Sequence, residues 1–149
     1  MDQDLAFDRF TEPARLALFH ARGAVSEHGG TALIDAHLLL GLLKAAPELG
    51  PLLRPNVNSQ RLSECLVGAV AAPSLPPTST DVPLDAAVQA ALLEALHLAD
   101  GFGQLAVTPA LLFLAVLQQP PGVAAACLRS VDIDLAATTD AVATFARGA

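Results

Sequence analysis

Lysine is nearly missing from this 149-residue chain, and tryptophan and tyrosine are wholly missing. A loop that cradles nucleotide phosphates needs the pattern GxxxxGK followed by serine or threonine. The single lysine, Lys44, follows Leu43, so these residues contain no such loop. The sequence therefore excludes nucleotide hydrolysis by a Walker motif within this chain.

Basic residues are few in general. Eight Lys and Arg residues stand against fifteen Asp and Glu residues, which gives a formal net charge of −7 and an isoelectric point near 4.8. The field of such a chain repels phosphate backbones and anionic lipid surfaces. A DNA-recognition helix would need several Arg or Lys on one stripe, and the scattered basic residues form none. We therefore predict no nucleic-acid partner.

Long hydrophobic runs are also absent. The longest apolar stretch, residues 105–117, is interrupted by Thr108 and Pro109. It falls short of the roughly 18 apolar residues that a membrane-spanning helix requires. The N-terminal residues are acidic and lack the basic-then-apolar order of a signal peptide. These features predict a cytoplasmic protein with no membrane partner.

Residue patterns of catalysis and metal binding are missing as well. The two cysteines, Cys65 and Cys127, stand singly in apolar stretches and are interpreted as buried thiols. The four histidines form no HxxxH or HExxH pair, and no GxSxG motif is present. The sequence thus predicts no metal, no cofactor and no enzymatic activity.

What the chain does contain is alanine and leucine. Hydrophobic residues make up 53% of it and aromatic residues only 4%, so these two types supply most of the apolar content. Both are good helix formers. We therefore predict an all-α fold.

The chain also contains an internal repeat. A segment rich in proline and hydroxyl residues divides it near its midpoint and is typical of a linker. A shift of 74 residues superimposes Gly29 on Gly103 and Pro47 on Pro121. We predict a single domain over residues 1–149, made of two tandem four-helix repeats, about eight helices in all, related by a pseudo-two-fold axis. The predicted boundaries are 8–71 for repeat one, 72–81 for the linker and 82–146 for repeat two.

Each repeat is predicted to pass through the same four segments. A long first helix ends at Gly29-Gly30 in repeat one and at Gly103 in repeat two. A compact second helix, apolar on nearly every side, follows and is expected in the core. These second helices, around Leu40 and Leu114, are expected to lie hidden against each other's copy. The predicted N-caps of the first and second helices are Thr11, Asp35, Asp85 and Thr108.

The later segments are shorter and more amphipathic. Third helices are predicted around residues 48–54 and 122–129, each just after a proline. Fourth helices are predicted from about 58 to 71 and from about 134 to 146. Their buried stripes are predicted to be Leu62, Leu66 and Val70 in repeat one, and Leu135, Val142 and Phe145 in repeat two.

Two motifs in the first repeat resemble those of the N-terminal domain of Clp unfoldases. Residues 10–15, FTEPAR, are similar to the opening Phe-Thr-x-x-Ala-Arg/Lys of that family. Residues 35–43, DAHLLLGLL, are similar to its Thr-Glu-His-Leu-Leu-Leu-Gly-Leu-Leu. Gly29 falls at the family's loop glycine, and Val131-Asp132 falls at its Val-Asp before the last helix. The resemblance spans nearly the whole chain. It implies a stand-alone member of the family, without the ATPase modules.

The resemblance implies a non-catalytic protein-interaction module, adaptor-like or substrate-receiving. Its expected partners are Clp ATPase or protease components, adaptors or unfolded substrates. It also implies that His37 orders the start of its helix. Some family members bind phosphorylated arginine through the Glu of Thr-Glu-His, but Ala36 and Ala110 stand at the matching positions here. With no catalytic motif present, the resemblance further implies that partners bind in the groove where the two repeats meet and beside the second helix of each repeat. The candidate partner-binding residues are Glu12, Asp35, His37, Asp85 and Thr108.

An alternative stays open at this point. The same composition and repeat also suit an unrelated helical scaffold or a homo-oligomerisation module with no Clp link. Both hypotheses predict an all-α protein without catalytic residues.

Overall fold

The computed structural model of the protein describes residues 7–28, 32–53, 59–70, 84–120 and 122–147. Within these ranges the chain is all-helical, which confirms the predicted fold class. The α-helices are α1 (Glu12–His28), α2 (Asp35–Ala45), α3 (Ser59–Val70), α4 (Ala86–Gly101), α5 (Pro109–Gln118), α6 (Val123–Ser130) and α7 (Leu135–Ala146). Two 3-10 helices, Phe7–Arg9 and Pro47–Leu52, precede α1 and follow α2.

The two repeats are joined by a reciprocal pair of backbone bridges. Phe10, before α1, bridges Val107, before α5, and Leu33, before α2, bridges Leu84, before α4. A shift of 74 residues converts one bridge into the other with the partners exchanged. The hydrogen bonds agree, because Thr11 N–H donates to Val107 at 3.0 Å and Asp85 N–H donates to Leu33 at 3.0 Å. This exchange is the signature of a two-fold relation, so the predicted pseudo-symmetry is confirmed in the backbone.

Helix starts follow the local sequence closely. Most of the predicted caps accept a hydrogen bond from a backbone N–H in the first turn of their helix, which would otherwise lack a partner. The structure shows this for Thr11 (from Ala14, 3.3 Å), Asp85 (from Ala87, 3.1 Å) and Thr108 (from Leu111, 3.3 Å), and also for Asp134 at α7 (from Ala137, 3.1 Å). At the end of α4, Gly103 takes a left-handed conformation with φ 72°, which confirms the predicted stop.

The core is centred on α5. Every residue from Pro109 to Val116 is buried, as expected for a helix that is apolar on all sides. Helix α5 packs on α4 and α7, and α2 packs chiefly on α1. Helices α2 and α5 also touch each other, but each has its main contact within its own repeat. Leu114 is buried while Leu40 is only half-buried. The prediction that these two segments lie hidden against each other is therefore wrong, because each helix is covered mainly by helices of its own repeat.

Gly41 allows α1 and α2 to approach closely. A Cβ at this position would overlap the carbonyl oxygen of Ala17 and lie 2.9 Å from the backbone nitrogen of Ala21. Both residues are fully buried on the facing side of α1. The glycine in the Leu-Leu-Leu-Gly-Leu-Leu run is therefore a packing residue.

Two segment predictions are wrong in detail. The third segment of repeat one is a 3-10 helix, Pro47–Leu52, instead of an α-helix. Pro51 lacks the N–H that an α-helix needs, and its ring opposes the α geometry of the preceding turn. In α7, Phe145 is 46% exposed, and Thr138 and Ala146 are buried in its place. The true stripe keeps a spacing of four residues through Val142, and Phe145 lies beside that stripe.

Some predicted features lie outside the described residues. They are the Gly29-Gly30 helix stop, the linker at 72–81 and the side chain of Val70. Repeat one is represented by residues up to 70 and repeat two by residues from 84.

Candidate functional site

A groove of about 530 Å³ lies where the two repeats meet. It is bounded by the N-terminal turns of α2, α4 and α6 and by the C-terminal end of α5. The two helices that follow the Leu33–Leu84 bridge, α2 and α4, both contribute to its walls. Most of the wall is apolar and is provided by Ile34, Leu38, Val88, Ala91, Val116 and Val123.

Asp35 and Asp85 place two carboxylates in this groove. Asp85 is the N-cap of α4, and its carboxylate accepts from Ala87 N–H at 3.1 Å. Gln119 adds a neutral amide to the lining. No Lys, Arg or His occurs among the described residues that line the groove. The site is therefore an apolar groove with a negative side.

Asp35 does not cap its own helix, and that prediction is wrong. Ile34 is the N-cap of α2 and has no polar side chain, while Asp35 is the first helical residue. The carboxylate of Asp35 accepts hydrogen bonds from Ala36 N–H in α2 and, across the repeat interface, from Ala124 N–H in α6. Gly122, the N-cap of α6, offers no side chain for this purpose. Asp35 thus serves the start of a helix in the other repeat.

The space for that contact exists because residue 122 is glycine. A Cβ on Gly122 would lie 2.6 Å from Oδ2 of Asp35. Burial raises the pKa of Asp35 above its usual value of 3.8, and the negative charge of Asp85 raises it further. The hydrogen bonds from Ala124 and Ala36 lower the pKa of Asp35, but burial has the larger effect. The ionised form of Asp35 is therefore held in the groove at a cost in solvation.

The other three candidate residues lie elsewhere. Glu12 and Thr108 flank the Phe10–Val107 bridge, at the place that the pseudo-two-fold relates to the groove. Glu12 is exposed at the start of α1, and Thr108 is engaged in capping α5. His37 is 1% exposed, and its Nδ1 accepts from Ile34 N–H at 3.1 Å. The expected ordering of the α2 start by His37 is thus seen directly.

Residues 83–148 match the family model described as the Clp repeat N-terminal domain. The second half of this chain is thus similar to a Clp repeat. The first half is related to it by the bridges and by the 74-residue register, so the predicted resemblance is confirmed. None of the curated proteins matches the chain.

Solved Clp and Hsp104 domains share the whole fold. The N-terminal domain of the caseinolytic protease-associated chaperone ClpD from Arabidopsis thaliana is 20% identical, with a TM-score of 0.77 over 97% of this chain and 98% of that one. The Hsp104 N-terminal domain from Candida albicans is 14% identical, with a TM-score of 0.78 over 89% of this chain and 88% of that one. At these identities the comparison establishes the fold, a double Clp repeat.

The Clp-like sequence motifs hold this fold together. Phe10 is 2% exposed, Ala14 is fully buried, and Arg15 Nη1 donates to the carbonyl of Phe10 at 2.7 Å. With Thr11 as the cap, four residues of the first motif fix the entry into α1. Motif recognition therefore located the scaffold of the Clp repeat, while the groove lies beside it.

The positions of the family's phosphoarginine-binding glutamate are buried here. Ala36 is fully buried and Ala110 is 3% exposed. Neither offers a carboxylate to a ligand. The carboxylates that the structure places in the groove are those of Asp35, one residue before Ala36, and of Asp85, the N-cap of α4.

The two cysteines are neighbours, which their sequence positions do not reveal. Both are free thiols; Cys127 in α6 is buried and Cys65 in α3 is half-buried. Burial raises the pKa of Cys127 to about 12, and a hydrogen bond with Cys65 and the nearby negative charge of Asp35 contribute further. The predicted character of buried thiols holds best for Cys127.

The described residues also bear on metal and membrane binding. They contain no group of three or more His, Cys, Asp or Glu side chains placed to hold a metal ion. Within the same ranges no single helix is long and apolar enough to cross a membrane. Helices α5 and α6 together reach that length and composition, but only with a 93° bend between them.

A partner-binding groove between the repeats was predicted from the sequence, and the structure has a groove at that place. Of its lining residues the sequence marked Asp35 and Asp85 as candidates, but not Gln119, Gly122 or the apolar wall. Those residues come from four helices in both repeats, and no local pattern marks them as neighbours. The one local signal was the Gly at position 122, a helix start with no capping side chain of its own.

Proposed function

We propose that this chain is a non-catalytic protein-binding module of a Clp-type chaperone system. It takes up adaptor or substrate polypeptides in the groove between its two repeats. The cytoplasmic location expected from the sequence is part of the same proposal.

The groove is the observation that carries this proposal. A largely apolar cleft of about 530 Å³ is in the size range of sites that accept side chains of a partner. Apolar surface left open to water favours association, because covering it releases the solvating water. Its walls come from the starts of helices and from the rigid α5, so the cleft is already formed before any partner arrives.

The solved relatives support the assignment to a chaperone system. One is named as the N-terminal domain of a protease-associated chaperone, and the other belongs to Hsp104. The hypothesis of a helical scaffold with no Clp link does not account for the Clp repeat match over residues 83–148.

The polar groups of the groove support binding over catalysis. Asp35 and Asp85 each accept hydrogen bonds from helix N-termini, and Gln119 is neutral. Neither a serine, a cysteine nor a histidine is present among the described lining residues to act as nucleophile or base. The carboxylates are placed to fix helices and to present charge.

Blocking the groove tests the proposal. Ala90 lines it from α4 and is exposed, so Ala90→Trp fills the cleft without entering the core. Leu16 occupies the position in repeat one that corresponds to Ala90, and its large side chain is exposed. This indicates that the helix accepts a large side chain at this position. The matched control is Ala136→Trp, on an exposed position of α7 outside the groove.

The assay is fluorescence anisotropy with a labelled, reduced and carboxymethylated model protein that cannot fold. We expect Ala90→Trp to weaken binding at least about tenfold and Ala136→Trp to leave it unchanged. Equal binding by the native chain and Ala90→Trp would contradict the assignment of the groove. No binding by the native chain would contradict the proposed function itself.

A further inference from the structure

We infer that the groove selects polypeptide segments in which an arginine or lysine side chain stands among apolar residues. This inference rests on the proposed function and specifies the chemistry of the partner. It is carried by the combination of an apolar wall with two carboxylates and no opposing cation among the described lining residues.

The apolar wall defines the first half of the specificity. Ile34, Leu38, Val88 and Val116 line the cleft from three helices and both repeats. Burying aliphatic side chains against such a wall contributes free energy in proportion to the area removed from water. The wall thus requires apolar residues in the partner.

The carboxylates define the second part of the specificity. Asp35 and Asp85 both line the cleft, and the negative charge of Asp85 is near enough to contribute to the raised pKa of Asp35. Each is already fixed by backbone N–H groups, from Ala124 and Ala36 for one and from Ala87 for the other. A carboxylate has about four lone-pair directions, so both retain capacity to accept from a guanidinium or an ammonium group.

The missing counter-charge sets the sign of the preferred partner. Since no basic side chain lines the described part of the cleft, no side-chain cation offsets the repulsion between the two negative charges there. A partner cation relieves this repulsion, whereas a neutral or acidic side chain does not. The chain as a whole, at −7, adds a field of the same sign.

A cationic side chain fits this site better than a metal ion. The cleft is far larger than a bare ion requires, and its surface is mostly aliphatic. Besides the two carboxylates, the described lining offers only the Gln119 side chain as an oxygen donor. The long apolar stem of arginine or lysine, by contrast, packs along an aliphatic wall while its head reaches a carboxylate.

The inference is tested with three acetylated and amidated nonapeptides of leucine, alanine and serine. They are identical except for the central residue, which is arginine, glutamine or glutamate. Binding is measured by anisotropy of a fluorescein label at low and at high salt. The protein variants are native, Asp35→Asn, Asp85→Asn and the double variant; asparagine keeps an oxygen acceptor for the helix N–H groups. The control is Asp134→Asn, which removes the same charge from the cap of α7, outside the groove.

We expect the native chain to bind the arginine peptide about fivefold more tightly than the glutamine peptide, and the glutamate peptide least tightly. The preference should shrink in high salt and vanish in the double variant, while Asp134→Asn retains it. Asp35→Asn should lose part of the preference without losing thermal stability, which a purely structural role for Asp35 would not produce.

The dependence on pH gives an independent readout. Affinity for the arginine peptide should rise as pH increases through the pKa of Asp35, because only the ionised form attracts the cation. The groups that face Asp35 are the Asp85 carboxylate, the Cys127 thiol and the N–H groups of Ala36 and Ala124. Cys127, with a pKa of about 12, stays neutral over this range.

The outcomes separate this inference from the proposed function. If the arginine and glutamine peptides bind equally and Ala90→Trp blocks both, the groove binds protein but the charge inference is overturned. If the double variant keeps the preference for arginine, the carboxylates are not its source and the inference is also overturned. If the unfolded model protein binds but no nonapeptide does, the charge inference is overturned and the proposed function stands; if neither binds, both proposals fail.

Discussion

Replacing Gly41 by alanine is the sharpest test of how the first repeat is packed. On an exposed helix face this change adds about 1 kcal/mol of stability through helix propensity. At Gly41 the added Cβ would overlap the carbonyl oxygen of Ala17 and approach the nitrogen of Ala21 to 2.9 Å. Both blocking atoms belong to the α1 backbone, which cannot move aside as the end of a flexible side chain can.

The magnitude follows from these opposing effects. Overpacking costs about 1–3 kcal/mol, and backbone obstruction favours the upper end. Subtracting the propensity gain leaves a net loss of about 2 kcal/mol in the free energy of unfolding. For a chain of this length, that loss corresponds to a fall of about 4–8 °C in the melting temperature.

The chain supplies its own matched controls. Gly23 in α1 and Gly68 in α3 are helical glycines with open space where the methyl group of an alanine would lie. Gly23→Ala and Gly68→Ala should each raise the free energy of unfolding by about 0.5–1 kcal/mol. The assay is urea denaturation followed by far-ultraviolet circular dichroism, since the chain has no tryptophan to report by fluorescence. If Gly41→Ala is as stable as the two controls, the close approach of α1 and α2 is refuted.

Four further predictions follow from the structure. Asp35→Ala should lower the free energy of unfolding, measured by urea denaturation, by about 1 kcal/mol because the cross-repeat cap is lost. Asp35→Asn should leave this free energy unchanged, since asparagine keeps an oxygen acceptor. Because the pKa of Asp35 is raised in the folded chain, the native chain should lose stability relative to Asp35→Asn as pH rises from about 4 through that pKa. A gain in the stability of the native chain relative to Asp35→Asn over the same pH range would contradict the assignment. Iodoacetamide should alkylate Cys65 in the folded chain and Cys127 only after unfolding, because Cys127 is buried. Mass spectrometry of the digested protein measures the labelling, and equal labelling of the two thiols in the folded chain would show that Cys127 is not buried. His37→Ala should cost about 3 kcal/mol by the same urea assay, because it leaves a cavity and removes the acceptor of the Ile34 N–H, and a loss under about 1 kcal/mol would refute that role.

The architecture could be predicted from the sequence because it depends on interactions between residues close together in the chain. Helix caps such as Thr11, Asp85 and Thr108 act within four residues of their own position, so their meaning survives without tertiary information. The repeat is likewise a property of the order of features along the chain. Its register of 74 residues is reproduced by the exchange of bridge partners, Phe10 with Val107 and Leu33 with Leu84.

The errors in the sequence-based predictions have a common origin. Helical periodicity places Phe145 and Leu40 near apolar stripes, but the exposed fraction of a side chain depends on which helix lies opposite. The segment around Pro51 had the composition of a helix, and the proline turned it into a 3-10 helix. Asp35 had the sequence position of a cap, yet the helix began at Asp35 itself.

The sequence by itself determined an all-α, acidic, twice-repeated chain with its helix starts and its likeness to the Clp repeat, because these depend on neighbours in the chain. Only the tertiary structure decided that Asp35 would serve α6 in the other repeat, that Cys65 and Cys127 would meet, and that the groove between the repeats would combine an apolar wall with two carboxylates. Each of these joins residues that lie far apart in the chain. Their distances are set by how the two repeats pack, and no local propensity encodes that packing.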